Sequence, residues 1–250
     1  MNLAVIATAG FVFCRVAGLV AALPVFSSEG TPKHVPIFTA IGVMLVVGPA
    51  VPVAPPPAHT AAWIVSIVGE IGLGLLAGMS VRTIFVALSM STEMMATQMG
   101  LAMATLLNPV DAQQSGPLGA LASWAAGLTF LATGLHLRCL EMVAASFHTV
   151  PPGAASWSAE GLQAVVQAAE TAVVLGVQLS GPILVLVWLV NVLVAVLARL
   201  APRMNVFFSI GLTLTSTAGI LLLGFGLPWI IAVHHESVRQ AVATLATWLM

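Results

Sequence analysis

The sequence predicts an all-α, polytopic helical membrane protein, built of long helices and helical hairpins with proline and glycine breaks. Three observations carry that prediction. Of the 250 residues, 60% are hydrophobic and only 6% charged, whereas a soluble domain carries about a quarter charged residues. Several charge-free stretches reach the roughly 20 residues that a helix needs to cross the hydrocarbon of a bilayer. The apolar runs are also continuous rather than alternating, which disfavours a β-barrel. Seven basic and eight acidic residues leave a formal net charge of −1, so nucleic acid finds no electrostatic footprint and is not an expected partner. Membrane lipid, or protein at membrane depth, has to cover the surface.

The first expected span, 3–23, is interrupted only by Arg15 and closed by Pro24. Its apolar run is longer than a signal-peptide core and lacks a basic start, so it reads as a retained first span. A polar loop, 27–34, precedes the second span, 35–53, which ends in the run Pro49, Pro52, Pro55, Pro56 and Pro57. From 61 to 107 the chain reads as one helical region with a polar middle, its span at 61–81 carrying Glu70. Gly69, Gly72, Gly74 and Gly78 give that region a small-residue face suited to close helix approach.

The polar stretch 108–117 follows, comprising Asn108, Pro109, Val110, Asp111, Ala112, Gln113, Gln114, Ser115, Gly116 and Pro117. It cannot continue a helix, and it requires either water or a lined cavity. Beyond it, 112–137 is a further charge-free run, and the span 118–147 carries His136, Arg138 and Glu141 before breaking at Pro151, Pro152 and Gly153. The segment 154–170 is mildly amphipathic and reads as a surface helix. The runs 171–198 and 204–235 form a hairpin whose turn holds Arg199 and Arg203, which by the positive-inside bias favours a cytoplasmic tip. About six spans are expected in all.

Charges inside spans are functional candidates by default, because hydrocarbon penalises an unpaired charge. Arg15, Glu70 and Glu93 are the three to explain. They read either as intramembrane charged packing, static partners across helices or subunits, or as a proton relay in a small-solute or proton-coupled transporter. An enzyme finds no support: His234, His235 and Glu236 are neighbours that diverge on a helix, and the sequence shows no GxSxG setting. Cys14 and Cys139 lie in apolar segments and read as small buried hydrophobes. No metal or cofactor is expected.

Ordered local strings carry a resemblance. Arg15, Pro24 and the Val35–Pro36 step, the stretch Glu93 to Leu101 leading to Asn108 and Pro109, the string Ser146-Phe147-His148-Thr149-Val150-Pro151, and the turn Ala198 to Phe207 run in sequence order over nearly the whole chain. Together they resemble the FliR family and its injectisome counterparts. Arg203 stands where the family usually has Gln, and Gly211-Leu212-Thr213-Leu214 replaces its usual Gly-Phe-Pro-Leu.

The resemblance implies a non-enzymatic subunit of the type III flagellar export gate in the bacterial cell inner membrane and flagellar basal body, assembled with FliP and FliQ beside FlhB and FlhA. Exported flagellar proteins would be its substrates. It also implies one FliR-type domain over 1–250, with a FliP-like part at 1–160 and a FliQ-like hairpin at 161–250. In it the loop 108–117 acts as a channel plug, and Arg199, Pro202, Arg203, Asn205 and Phe207 make a partner-contact hairpin.

Overall fold

The computed structural model describes residues 3–27, 31–32, 34–101, 116–155, 159–200 and 211–249. Among these the chain is helical, with no strand. Helix α1 spans Leu3–Ala22 and α2 spans His34–Val47, followed by a single 3-10 turn, Gly48–Ala50. Pro49 ends α2 because a ring nitrogen donates no hydrogen bond. At 14 residues α2 is too short to cross a bilayer, so the span expected at 35–53 is not one. The Pro-rich strap that follows is tied to α1 where Ala54 N–H donates to Thr8 Oγ1 at 3.0 Å.

Helix α3 runs through 39 residues, Thr60–Gln98, joining the span at 61–81 to the polar stretch beyond it. It ends in a paired closure: Gly100 N–H donates to the Thr97 carbonyl and Leu101 N–H to the Ala96 carbonyl. These two bonds occupy carbonyls that the helix end would otherwise leave bare. Helix α4, Pro117–Ala132, starts on a proline, whose fixed φ suits the first helical position. It does not continue into α5, Leu135–Thr149. The chain turns by 60° between them, at Gly134, which adopts φ 71°. A side chain at that φ would be strained, so a continuous span over 118–147 is replaced by a broken one.

Helix α6, Ala159–Leu200, absorbs the expected surface helix into one 42-residue rod, and α7 covers Leu212–Leu249. Among the described residues four helices are long and apolar enough to cross a membrane, or five if the bent pair counts as one span. The expected count of about six falls because α2 is short.

The chain divides into two compact units. Unit 1 comprises 1–84, 130–171 and 237–250; unit 2 comprises 85–129 and 172–236. In unit 1, α1 and the first half of α3 meet along glycines. A Cβ placed on Gly18 would collide with the Ile71 carbonyl oxygen, and one on Gly74 with the Arg15 carbonyl oxygen. Gly78 lies against Leu19 and Ala22 in the same way. Of the glycines expected to form one small-residue face, Gly74 and Gly78 pack closely on α1 while Gly69 meets Ala155 instead; the close approach also brings Cα–H groups to carbonyl oxygens. Phe11, Val12, Val16, Leu19, Ala77, Val81 and Phe147 fill the interior around it.

Unit 2 is assembled differently. The second half of α3 and the residue just past it meet small residues of α6 and α7 through methionines, with Gly176 beside Met90, Ser180 against Met94 and Gly219 against Met99. Methionine is the side chain best able to fill such irregular gaps.

Candidate functional site

The two best-defined polar centres lie one in each unit. In unit 1, α1 presents Arg15 and α3 presents Glu70, both fully buried at 0% exposure. Arg15 Nε donates to Glu70 Oε2 at 2.6 Å and Nη2 to Oε1 at 3.1 Å, a two-point contact that matches the guanidinium fork to the carboxylate. The remaining donors turn to the end of α5. Nη1 reaches Ser146 Oγ at 2.9 Å, and Nη2 also reaches the Val150 carbonyl at 3.0 Å. The Phe147 ring lies under the guanidinium, 4.0 Å from centroid to Cζ, in cation–π range.

The carboxylate is served from the turn after α5. Gly153 N–H donates to Glu70 Oε1 at 2.7 Å, while Ser66 Oγ donates to the Gly153 carbonyl at 2.9 Å. Gly153 takes φ 82°, and an added Cβ would press on the Phe11 ring at 2.9 Å. No other residue type fits there without strain. Gly69, one residue before Glu70, meets the Ala155 carbonyl oxygen so closely that a methyl would displace it. Pro151 and Pro152 thus end α5 where its Val150 carbonyl and the Gly153 amide close over the ion pair.

A buried ion pair is tolerable only when its leftover donors and acceptors are also satisfied, because each ion has given up its hydration. Here every guanidinium nitrogen has a partner. The arrangement binds three elements to one point and offers no open valence for substrate, and among the described residues no cluster of His, Cys, Asp or Glu is disposed to hold a metal.

Glu93 is not part of this centre. It lies in unit 2, where its Oε1 accepts the Gly116 N–H at 3.0 Å. Gly116 immediately precedes α4, and its carbonyl accepts the Ala120 N–H at 3.0 Å. The carboxylate therefore sits at the amino end of α4, where negative charge is favoured by the helix dipole. It holds the last residues of the polar stretch 108–117. Within that stretch, Gly116 and Pro117 are described, while Asn108, Pro109, Val110, Asp111, Gln113, Gln114 and Ser115 lie outside the described residues. Of the hairpin residues, Arg199 is exposed at the end of α6, and Pro202, Arg203, Asn205 and Phe207 lie outside the described residues.

A model of the bacterial export proteins, family 1, matches residues 6–241. The chain belongs to that family. Both polar centres of this export protein fall inside the matched range. Its relatives include the flagellar biosynthetic protein FliR of Pectobacterium carotovorum subsp. carotovorum, 29% identical over 95% of this chain and 92% of that protein. FliR of Escherichia coli (strain K12) is 28% identical, covering 92% and 88% of the two chains. FliR of Aquifex aeolicus (strain VF5) is 25% identical, covering 87% and 84%. Such near end-to-end coverage suits an export protein of the FliR kind, and no comparison supports a small-solute transporter.

Sequence reasoning singled out Arg15 and Glu70 but not Ser146, Phe147, Val150 and Gly153 as their partners. The string Ser146 to Pro151 stood out only as a family resemblance. A serine and an aromatic one residue apart before a Pro-Pro-Gly break were the available signal for a buried cation.

Proposed function

We propose that this membrane-embedded export protein is the FliR-type subunit of the flagellar type III export gate of the bacterial inner membrane. It assembles with FliP and FliQ, beside FlhB and FlhA, and works without catalysis on exported flagellar proteins. The family match over 6–241 carries this reading. In it, Arg15 and Glu70 are a static fastener, since their hydrogen-bonding capacity is spent internally.

The segment 108–117 is the channel plug. Its polar side chains trade hydrogen bonds at little net cost, about 1 kcal/mol each, and Glu93 anchors its carboxyl end. The turn with Arg199, Pro202, Arg203, Asn205 and Phe207 contacts a further export component from the cytoplasmic side.

The deciding experiment deletes 110–115 in a strain whose flagellation depends on this chain. Co-purification with two other small hydrophobic membrane proteins should persist, while the membrane becomes leaky to ions. A deletion complex that assembles fully and stays as tight as the unaltered one removes the plug. Solute uptake by the lone chain in vesicles would instead favour transport.

A further inference from the structure

Three helices of unit 1 enclose a recess of about 230 Å³, bordered by Ser80 of α3, Gln167 and Thr171 of α6, and Ser237, Gln240 and Thr244 of α7. A single water takes up about 30 Å³, so the space suits a larger group. These side chains are polar, and no charged residue joins them in the lining.

The hydroxyls offer the recess acceptors rather than donors. Ser80 Oγ donates its proton to the Leu76 carbonyl at 3.0 Å, Thr171 Oγ1 to the Gln167 carbonyl at 2.8 Å and Thr244 Oγ1 to the Gln240 carbonyl at 3.0 Å. A hydroxyl has one proton and two lone pairs, so each oxygen can still accept. An anion needs donors, which these groups have spent on their own helices. A cation with several N–H groups fits them. Glu170 adds a charge of the matching sign: it is exposed, stands three residues after Gln167 and so beside it on α6, and makes no ion pair among the described residues. Arg239, the basic residue on this stretch of α7, is not part of the lining.

The recess also marks a boundary in the sequence. On α6 the charge-free run 171–198 starts at it, and on α7 the charge-free run 212–235 stops just before it. Charged residues return only there, as Glu170 on one helix and Glu236 and Arg239 on the other. That is the level at which a helix leaving hydrocarbon meets lipid headgroups. The amine best placed to reach it is one that carries acyl chains.

We infer that this recess is a headgroup site for the primary ammonium of an ethanolamine phospholipid, accepted by the Ser80, Thr171 and Thr244 oxygens and drawn by Glu170. A choline headgroup has no N–H to donate, and a glycerol headgroup leaves its phosphate charge with no cation in the lining to meet it. The inference goes beyond the export reading and needs only that the chain is embedded in a membrane.

The test extracts the full chain in mild detergent with the proteins that stay bound to it, and exchanges away native lipid. Dioleoyl phosphatidylethanolamine, phosphatidylcholine or phosphatidylglycerol is then titrated in, and bound lipid is counted by native mass spectrometry. The ethanolamine lipid should bind about tenfold more tightly than either other lipid, the order expected from hydrogen bonds to a charged donor. With the chain unaltered, affinity should fall stepwise through the mono- and dimethylated ethanolamine lipids as N–H groups are lost, a reading that no misfolded variant can mimic. The triple variant E170Q, T171V, T244V alters only exposed side chains, and it should erase the preference while binding choline lipid as before. A benzoylphenylalanine at Val166, exposed beside Gln167, should crosslink to the ethanolamine lipid. Equal binding of ethanolamine and choline lipids, a preference for phosphatidylglycerol, an unchanged preference in the triple variant, or a Val166 adduct with polypeptide in place of lipid would overturn the inference.

Discussion

Unit 1 and unit 2 solve the same problem by different means. About half of the most apolar window of α1 and of α3 is buried within the chain, 50% and 56%, against 17% and 11% for α6 and α7. Unit 1 spends its polarity at one point, a fully buried ion pair with its satellite bonds, and closes its backbone seam with glycine. Unit 2 has no buried charge pair among the described residues. Its helices are joined by single hydroxyl bonds, such as Thr215 Oγ1 to Asn191 Oδ1 at 3.0 Å and Ser216 Oγ to the Met99 carbonyl at 2.7 Å. Phe225, Trp188 and Trp124 stand exposed on its surface. One unit completes its own interior, and the other presents faces that lipid or protein must complete.

That contrast breaks first at Arg15. Replacing Glu70 with Gln strands a buried guanidinium, and the loss should be about 3–5 kcal/mol, read as a lower melting temperature in detergent or loss of the protein from membranes. The double change of Arg15 and Glu70 to methionine should recover much of that loss, since a well-packed apolar pair is often as stable as the buried ions it replaces. If E70Q melts with the unaltered protein, the pair is not what holds unit 1 together.

The glycine seam comes next. G74A forces a methyl into the Arg15 carbonyl and should cost about 1–3 kcal/mol, as overpacking of a close contact does. Gly42, also helical, has nothing within 4 Å of an added Cβ. G42A should be neutral or slightly stabilising, within about 1 kcal/mol, because alanine is the better helix former. Equal effects at the two positions, measured by thermal unfolding, would dissolve the distinction between seam and surface.

Smaller effects belong to unit 2. E93Q removes the charged acceptor of the Gly116 amide, which is half-buried, so the expected loss is about 1 kcal/mol. It should appear locally, as faster amide exchange at the start of α4 with unit 1 unchanged. Least of all, T215V removes one interhelical hydrogen bond, and such bonds average about 0.6 kcal/mol inside membranes. A loss several times larger would mean that α6 and α7 rest on that bond rather than on packing between their side chains.

Much of this was legible in the chain itself. The continuous apolar runs located α1, α3, α6 and α7, and the glycines of α3 announced a close seam. Two readings of helix ends went astray. The run after residue 35 looked long enough to span, yet Pro49 stops it at Val47 because hydropathy sums residues without regard to backbone donors. The run through Gly134 looked continuous, yet a positive φ there turns the helix, and apolar composition carries no signature of that angle.

The sequence alone determined the solvent: with so few charges, long helices in or beside a membrane are the only way to satisfy the backbone. It also determined the family, through short strings spread along the chain. Which charges meet was decided by tertiary structure. Arg15 and Glu70 are 55 residues apart and Arg15 and Ser146 are 131 apart, while Glu93, on the same helix as Glu70, serves a different loop. Hydropathy and helical period are sums over neighbouring residues, whereas an ion pair depends on which distant backbones approach within about 3 Å of each other's side chains.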